Sequence, residues 1–392
     1  MSKGKFAVLS IVSVILVFAL AGGLVYYFAD SFDKVVDVTP DETQVVETQA
    51  PTEAETESNY ALELLSTMSL EEKVAQMMMV SCHEGINIEA ASSYGVGGLC
   101  LYGYSFEEKT TDEVISMIES YQDLVNVPML VSTDEEGGTV VRVSSNLQLR
   151  ESPFLSPSEL FAEGGMDLVE SDTLEKASLL LSLGINVNLA PVCDVPLSED
   201  NYIYDRCFSL NANETSDYVK TVVSAMRVKG IGSTLKHFPG YGGSVDTHES
   251  MSYDNRDYSA FENGDFKPFK AGIKAGADSV LVSHNIVTCM DENMPASLSK
   301  PIHDILRDEL GFEGVIITDD LVMEGIQQFT DGESAAVLAV KAGNDMIICE
   351  DYRSSVDAIM TAVNNGEIDE TQIDESVVRV LKWKEKLGLI SR

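Results

Sequence analysis

The sequence predicts an α/β protein: one parallel (β/α)8 barrel of the TIM type, carried behind an N-terminal apolar helix and an acidic linker. Three observations predict it. Eight short apolar runs recur from about Asn59 onward, amphipathic helical stretches separate most of them, and the runs are apolar almost without interruption. Strands covered by helices on both faces read this way, whereas a strand with one wet face alternates. An open doubly wound sheet uses the same units, and the count of eight favours closure.

The first element is the uncharged run Phe6–Phe28, preceded by Lys3 and Lys5. At about 1.5 Å per residue a helix of this length crosses the hydrocarbon core of a bilayer. Basic residues before it and acids after it place residues 1–5 in the cytoplasm and the body of the protein outside. A cleaved signal peptide with Ala19-Leu20-Ala21 as its processing site is the rival reading. The run continues through Leu24-Val-Tyr-Tyr-Phe28, which favours an uncleaved single-pass anchor over residues 6–28.

Residues 29–58 form the second element. Between Asp30 and Ser58 stand nine acids and one base, Lys34, with Pro40, Pro51 and many Thr and Gln. Such a stretch repels itself and reads as a solvated tether. Acidity extends to the whole chain, which sets 26 Lys and Arg against 64 Asp and Glu for a net charge of −38. Nucleic acid is thereby excluded as a partner, because phosphate binding needs clustered bases. Six cysteines stand far apart with no metal-binding spacing, and Cys100 and Cys349 sit inside apolar runs, as buried thiols do. Length alone suggests two or more domains, but anchor and tether leave about 330 residues, 59–392, for one barrel.

The eight predicted strands are Val74–Ser81, Gly97–Gly103, Pro128–Asp134, Ile185–Val195, Gly232–Phe238, Ser279–Asn285, Gly314–Asp320 and Asp345–Glu350. Helical patterns between them include Thr111–Leu124, Ser216–Val228, Lys300–Leu310 and Ser354–Val363. Barrel enzymes build their sites at the C-terminal ends of their strands. Those ends carry Asp134, Asp194, Lys236-His237, His284, Asp319-Asp320 and Glu350, and His248 follows in a loop. Any one of them serves a structural role as readily as a chemical one. Their convergence on one end is what points to a site.

Several segments then become recognisable. They include Met68-Ser-Leu-Glu-Glu-Lys-Val-Ala-Gln-Met77, Asp134-Glu-Glu-Gly-Gly-Thr-Val-Val-Arg142, Leu189-Ala-Pro-Val-Cys-Asp-Val195 and Lys236-His-Phe-Pro-Gly-Tyr-Gly242. Asp246-Thr-His248, Pro295-Ala-Ser-Leu-Ser299, Ile317-Thr-Asp-Asp-Leu-Val-Met323 and Leu381-Lys-Trp-Lys-Glu-Lys-Leu-Gly-Leu389 follow in the same order. In these the chain resembles glycoside hydrolase family 3, in particular its bacterial β-N-acetylglucosaminidases with a single barrel domain.

The resemblance implies a catalytic apparatus. Asp319 matches the nucleophile, the first Asp of a D-[D/A]-L-x-M segment; alternatively it caps the following helix, a role Asp320 fills equally well. His248, oriented by Asp246, matches the acid/base, a task suited to an imidazole that titrates near neutral pH. Asp134, Arg142, Arg206, Lys236 and His237 match positions that hydrogen-bond the sugar, with salt bridges and packing as their structural alternatives. His284 is a secondary candidate. The family usually has His where Tyr241 stands and Asp-Thr where Gly243-Ser244 stands.

The implied activity is retaining exo-hydrolysis of terminal β-linked N-acetylglucosamine, with no metal or organic cofactor. For a tethered extracellular barrel the implied substrates are peptidoglycan fragments. A phosphorylase using the same pair is the close alternative, because a His acid/base does not repel an incoming phosphate. β-Glucosidases of the family take their acid/base from a further domain, for which the residues after Leu389 leave no room. A saccharide-binding barrel without activity would keep Arg142, Arg206 and Lys236 but lose Asp319 or His248, and both stand here.

Overall fold

The computed structural model describes residues 60–242, 252–322, 326, 329–330 and 333–391. The expected anchor at 6–28, the tether at 29–58, the Gly243-Ser244 departure, Asp246 and His248 lie outside the described residues. Among those described, no helix is long and apolar enough to cross a membrane.

Eight parallel strands form the expected barrel: β1 (Met78–Cys82), β2 (Gly98–Leu101), β3 (Leu130–Thr133), β4 (Val187–Asn188), β5 (Gly232–Phe238), β6 (Ser279–Val282), β7 (Val315–Thr318) and β8 (Ile347–Cys349). Their spatial order is β8-β1-β2-β3-β4-β5-β6-β7, so every neighbouring pair is sequential except β8 with β1. Between β7 and β8 the ring closes by the single bridge Ile317 to Met346, supported by Thr318 N–H donating to Met346 O at 3.2 Å. All residues of all eight strands are buried, which explains their unbroken apolar character.

Two cores result from the period of two along each strand. On β1, Met78, Val80 and Cys82 face the helices, while Met79 faces the barrel axis. The axial core joins Met79, Cys100, Leu130, Val187, Leu281, Val315, Ile317 and Ile348 to Val380 and Trp383 of the last helix, Glu370–Lys386. Trp383 plugs the barrel's N-terminal end against Gly232, where a Cβ would stand 3.0 Å from the indole ring. A side chain there would require the indole to give by a few tenths of an ångström.

Two expected strands and one expected helix need correction. Val74–Gln76 belong to the helix Leu70–Gln76, which Ser69 and Glu72 start with a capping box, so β1 begins at Met78. In the run Ile185–Val195 only Val187–Asn188 is regular strand, because Pro191 offers no N–H to the ladder. The helix expected over Lys300–Leu310 is α-helical to Asp304 and closes with a π turn over Ile305–Glu309. Thr111–Gln122, Ala212–Lys229 and Tyr352–Asn364 form where helices were expected. All six cysteines are free thiols, and Cys100 and Cys349 are buried as read from the sequence.

Candidate active site

A cavity of about 540 Å³ opens at the C-terminal ends of the strands. Six sequence-predicted residues line it: Asp134, Arg142, Arg206, Lys236, His237 and Asp319. They come from the loop after β3, the turn Tyr204–Arg206, β5 and the segment after β7. Its apolar surface includes Cys100, Leu189, Leu281 and Ile348. Among the described residues no cluster of three or more His, Cys, Asp or Glu is arranged to hold a metal ion.

One wall is a network of paired charges. Lys236 Nζ donates to Asp134 Oδ1 at 2.6 Å and lies 2.6 Å from Glu136 Oε1. Arg206 grips the same glutamate with both arms, Nε to Oε2 at 3.0 Å and Nη2 to Oε1 at 2.7 Å. This fork suits the planar guanidinium. Burial alone would push Glu136 up, but Arg206 and Lys236 outweigh it and hold the carboxyl well below the usual range. For Lys236, burial pulls downward and Asp134 with Glu136 more than reverses it. Glu136, Arg206 and Lys236 are therefore held in their charged forms, although Glu136 and Lys236 are buried and Arg206 is partly so.

His237 extends the network. A guanidinium only donates, so His237 Nε2, 3.3 Å from Arg206 Nη2, is the accepting nitrogen and Nδ1 carries the proton. Nδ1 donates to Asp194 Oδ2 at 2.8 Å, while Asp194 Oδ1 accepts Tyr241 N–H at 2.7 Å. The peptide between Lys236 and His237 is cis. Tyr241, where the family usually has His, is buried with its ring 5.0 Å from that of His237 and 5.8 Å from that of Tyr202.

Arg142 is placed by the loop after β3. Gly137 and Gly138 have φ of 105° and 63°, and a Cβ on Gly137 would stand 2.1 Å from Leu155 O. Only glycine permits both the turn and that approach. Glu135, fully buried, then accepts Arg142 N–H at 2.8 Å and Val143 N–H at 2.7 Å, and the hydroxyl of Ser144. These bonds fix the backbone that carries Arg142. Its guanidinium lies 5.8 Å from the centre of the Tyr102 ring, and its Nε has no hydrogen-bond partner among the described residues.

The opposite wall holds two carboxylates with different tasks. Asp320 turns back onto the protein: Oδ1 accepts Val322 N–H at 3.1 Å, and Oδ2 meets Ser81 Oγ, His83 Nε2 and Tyr102 OH. It takes the backbone-capping task that the sequence left open between the pair. Asp319 lines the cavity, and its Oδ1 accepts Asp320 N–H at 2.9 Å. His284 stands behind this wall, with Nδ1 2.7 Å from Ser297 Oγ and Nε2 2.9 Å from the carbonyl of Asp320.

Three participants escaped the sequence reading, and Asp194 entered it without a role. Glu136 is the acid two places after Asp134, and in the sequence it is one of two adjacent glutamates. Asp194 was visible only as a strand-end acid. His83 and Tyr102 follow β1 and β2, so the rule of polar strand ends would have found them had those two strands been ended correctly.

The profile of the glycosyl hydrolase family 3 N-terminal domain matches residues 69–383. A β-hexosaminidase of Nitrosomonas eutropha is 30% identical over 272 residues, covering 68% of this chain and 77% of its own. One from Tolumonas auensis is 30% identical over 273 residues, covering 69% and 80%. Among solved structures, a family 3 β-N-acetylglucosaminidase from Paenibacillus sp. shares 29% identity at a TM-score of 0.77; the match covers 83% of this chain and 64% of that one. A β-N-acetylhexosaminidase from Beutenbergia cavernae shares 28% at 0.73, covering 81% and 99%. The strand-end cavity, the segments that line it and these matches agree: the chain belongs to glycoside hydrolase family 3 and is a glycoside hydrolase.

Proposed function

We propose that this glycoside hydrolase removes terminal β-linked N-acetylglucosamine with retention of configuration. The observation that carries the reading is the meeting, in one cavity, of Asp319 with Asp134, Lys236, Arg206 and His237, the two bases being held by Glu136 behind them. The hydrolases named above act as β-hexosaminidases or β-N-acetylglucosaminidases, which supports the choice of sugar.

In the first step the Asp319 carboxylate attacks the anomeric carbon, the glycosidic bond breaks, and His248 gives its proton to the leaving oxygen. Next, His248 takes a proton from water. The resulting hydroxide attacks the same carbon and the bond to Asp319 breaks. Asp246 orients the imidazole. Asp134 accepts from sugar hydroxyls, while Arg142, Arg206 and Lys236 donate to sugar oxygens. His237, held by Asp194, completes the contact surface.

Residues 6–28 would anchor the barrel outside the cell, which makes peptidoglycan fragments the natural substrates in this reading. Exposure of the barrel to protease added to intact cells tests the placement.

A panel of β-linked p-nitrophenyl sugars tests the activity. The N-acetylglucosaminide should be the preferred substrate, and Asp319→Ala should abolish its turnover; unchanged turnover in that variant removes the mechanism. Adding phosphate should leave free sugar as the main product. A sugar 1-phosphate in its place reassigns the protein as a phosphorylase.

A further inference from the structure

Asp319 follows β7 at the seam where the barrel is least laddered. A single bridge joins β7 to β8, whereas β1 and β2, β2 and β3, and β6 and β7 each share four paired residues. A nucleophile must nevertheless be held to a fraction of an ångström for efficient attack. Backbone bonds such as Leu321 N–H to Ile348 O at 3.0 Å cross this seam, and side chains from beyond β8 add to them.

We infer that His83 and Tyr102 are positioning residues for the nucleophile, acting through Asp320. Three side-chain groups converge on Asp320 Oδ2: Ser81 Oγ from β1, His83 Nε2 at 3.2 Å from just after β1, and Tyr102 OH at 3.3 Å from just after β2. A carboxylate oxygen accepts, so His83 Nε2 carries the hydrogen. Burial, with the negative charge around it, pushes the Tyr102 hydroxyl far up, which keeps it a donor. Asp320 N–H in turn donates to Asp319 Oδ1 at 2.9 Å. The chain of contacts thus runs from β1 and β2, across β8, to the attacking carboxylate.

The brace is itself rigid. The rings of His83 and Tyr102 stack at 4.4 Å and 23°, and Tyr104 OH donates to the carbonyl of Cys82, the residue before His83. Glu350 Oε1 lies 3.9 Å from His83 Nε2 on the side of β8. Asp320 itself is 8% exposed, so no bulk water replaces a lost donor cheaply.

The inference rests on Asp319 being the nucleophile, and both rings also line the cavity, so direct contact with the sugar is the rival. A double-mutant cycle separates them. Tyr102→Phe keeps the stacked ring and loses the donor, and His83→Gln loses the ring nitrogen. Each should lower kcat about tenfold with KM within about twofold. In an Asp320→Ala background, which the family motif admits, neither should cause further loss. Should that background fail to fold by circular dichroism, Asp320→Asn takes its place, and the second loss should then be smaller than the first. Losses that multiply in full, that appear in KM alone, or that are absent from the single variants overturn the brace. Labelling with a fluorinated N-acetylglucosaminyl fluoride keeps the two readings apart. A label on a residue other than Asp319 sinks the proposed nucleophile, whereas label on Asp319 with multiplying losses sinks the brace alone.

Discussion

The two ends of the barrel each bury a lysine, and the two lysines behave oppositely. Lys236, 2% exposed at the catalytic end, lies 2.6 Å from a carboxylate oxygen of both Asp134 and Glu136, and its pKa is raised. Lys384, fully buried at the other end, donates to one amide oxygen, Gln76 Oε1 at 2.6 Å, and burial brings it down to about 7. Gln76 is oriented for this by its own bond to Gly95 O at 2.9 Å. Equal burial with opposite outcome shows that partners decide the charge of a buried amine. At the strand-end cavity two carboxylates keep the buried amine charged, while at the other end a single amide oxygen meets an amine that burial has brought down.

Exchanging each lysine for methionine is the strongest way to break that contrast. Lys236→Met leaves Asp134 and Glu136 without a shared cation, so it should lower kcat/KM about a thousandfold and cost about 3–5 kcal/mol in chemical denaturation. Lys384→Met should keep kcat/KM within about twofold and match or exceed the parent's melting temperature. The reverse pattern would show that burial, not partnership, governs both sites.

Glu136→Gln sharpens the catalytic half. The folded-state pKa of Glu136 lies below its unfolded value, so its stabilisation is present above about 4.5 and lost as pH falls further. The variant should therefore be less stable than the parent at pH 7, and the gap should narrow in acid; a gap independent of pH would contradict the charged assignment.

Lys384 predicts a gentler signature. Its folded pKa is depressed, so the unfolded state binds more protons between pH 7 and about 10.5, and stability contributed at this site rises across that window. Denaturation at pH 7 and pH 9 should show this rise in the parent and its loss in Lys384→Met. The smallest effect belongs to Asp265, which burial raises to about 6 against the opposing pull of Arg256. Its neutral form is favoured on folding, so its contribution should fall as pH climbs from about 4 to 6. Asp265→Asn should flatten that slope.

The barrel was legible in the sequence because both faces of each strand are buried, leaving eight unbroken apolar runs from Met78 to Cys349. The strand limits were less so: Val74–Gln76 is apolar enough to extend a strand, and the Ser69–Glu72 capping box that assigns it to a helix lies outside the run. Six site residues were legible through motif order, and all six line one cavity. Glu136 and Asp320 were harder, since each stands beside another acid and only three-dimensional partners distinguish the two. His83 and Tyr102 were missed because the expected limits of β1 and β2 hid their strand-end positions, and their link to Asp320, more than two hundred residues away, forms only when the barrel closes.

The stereochemistry of the first product tests the central claim most directly. Proton NMR of the reaction on a β-linked aryl N-acetylglucosaminide should show the β-anomer of N-acetylglucosamine appearing before mutarotation, as two displacements at one carbon through Asp319 require. Initial appearance of the α-anomer would mean a single displacement by water, and would contradict the assignment of Asp319 as the nucleophile.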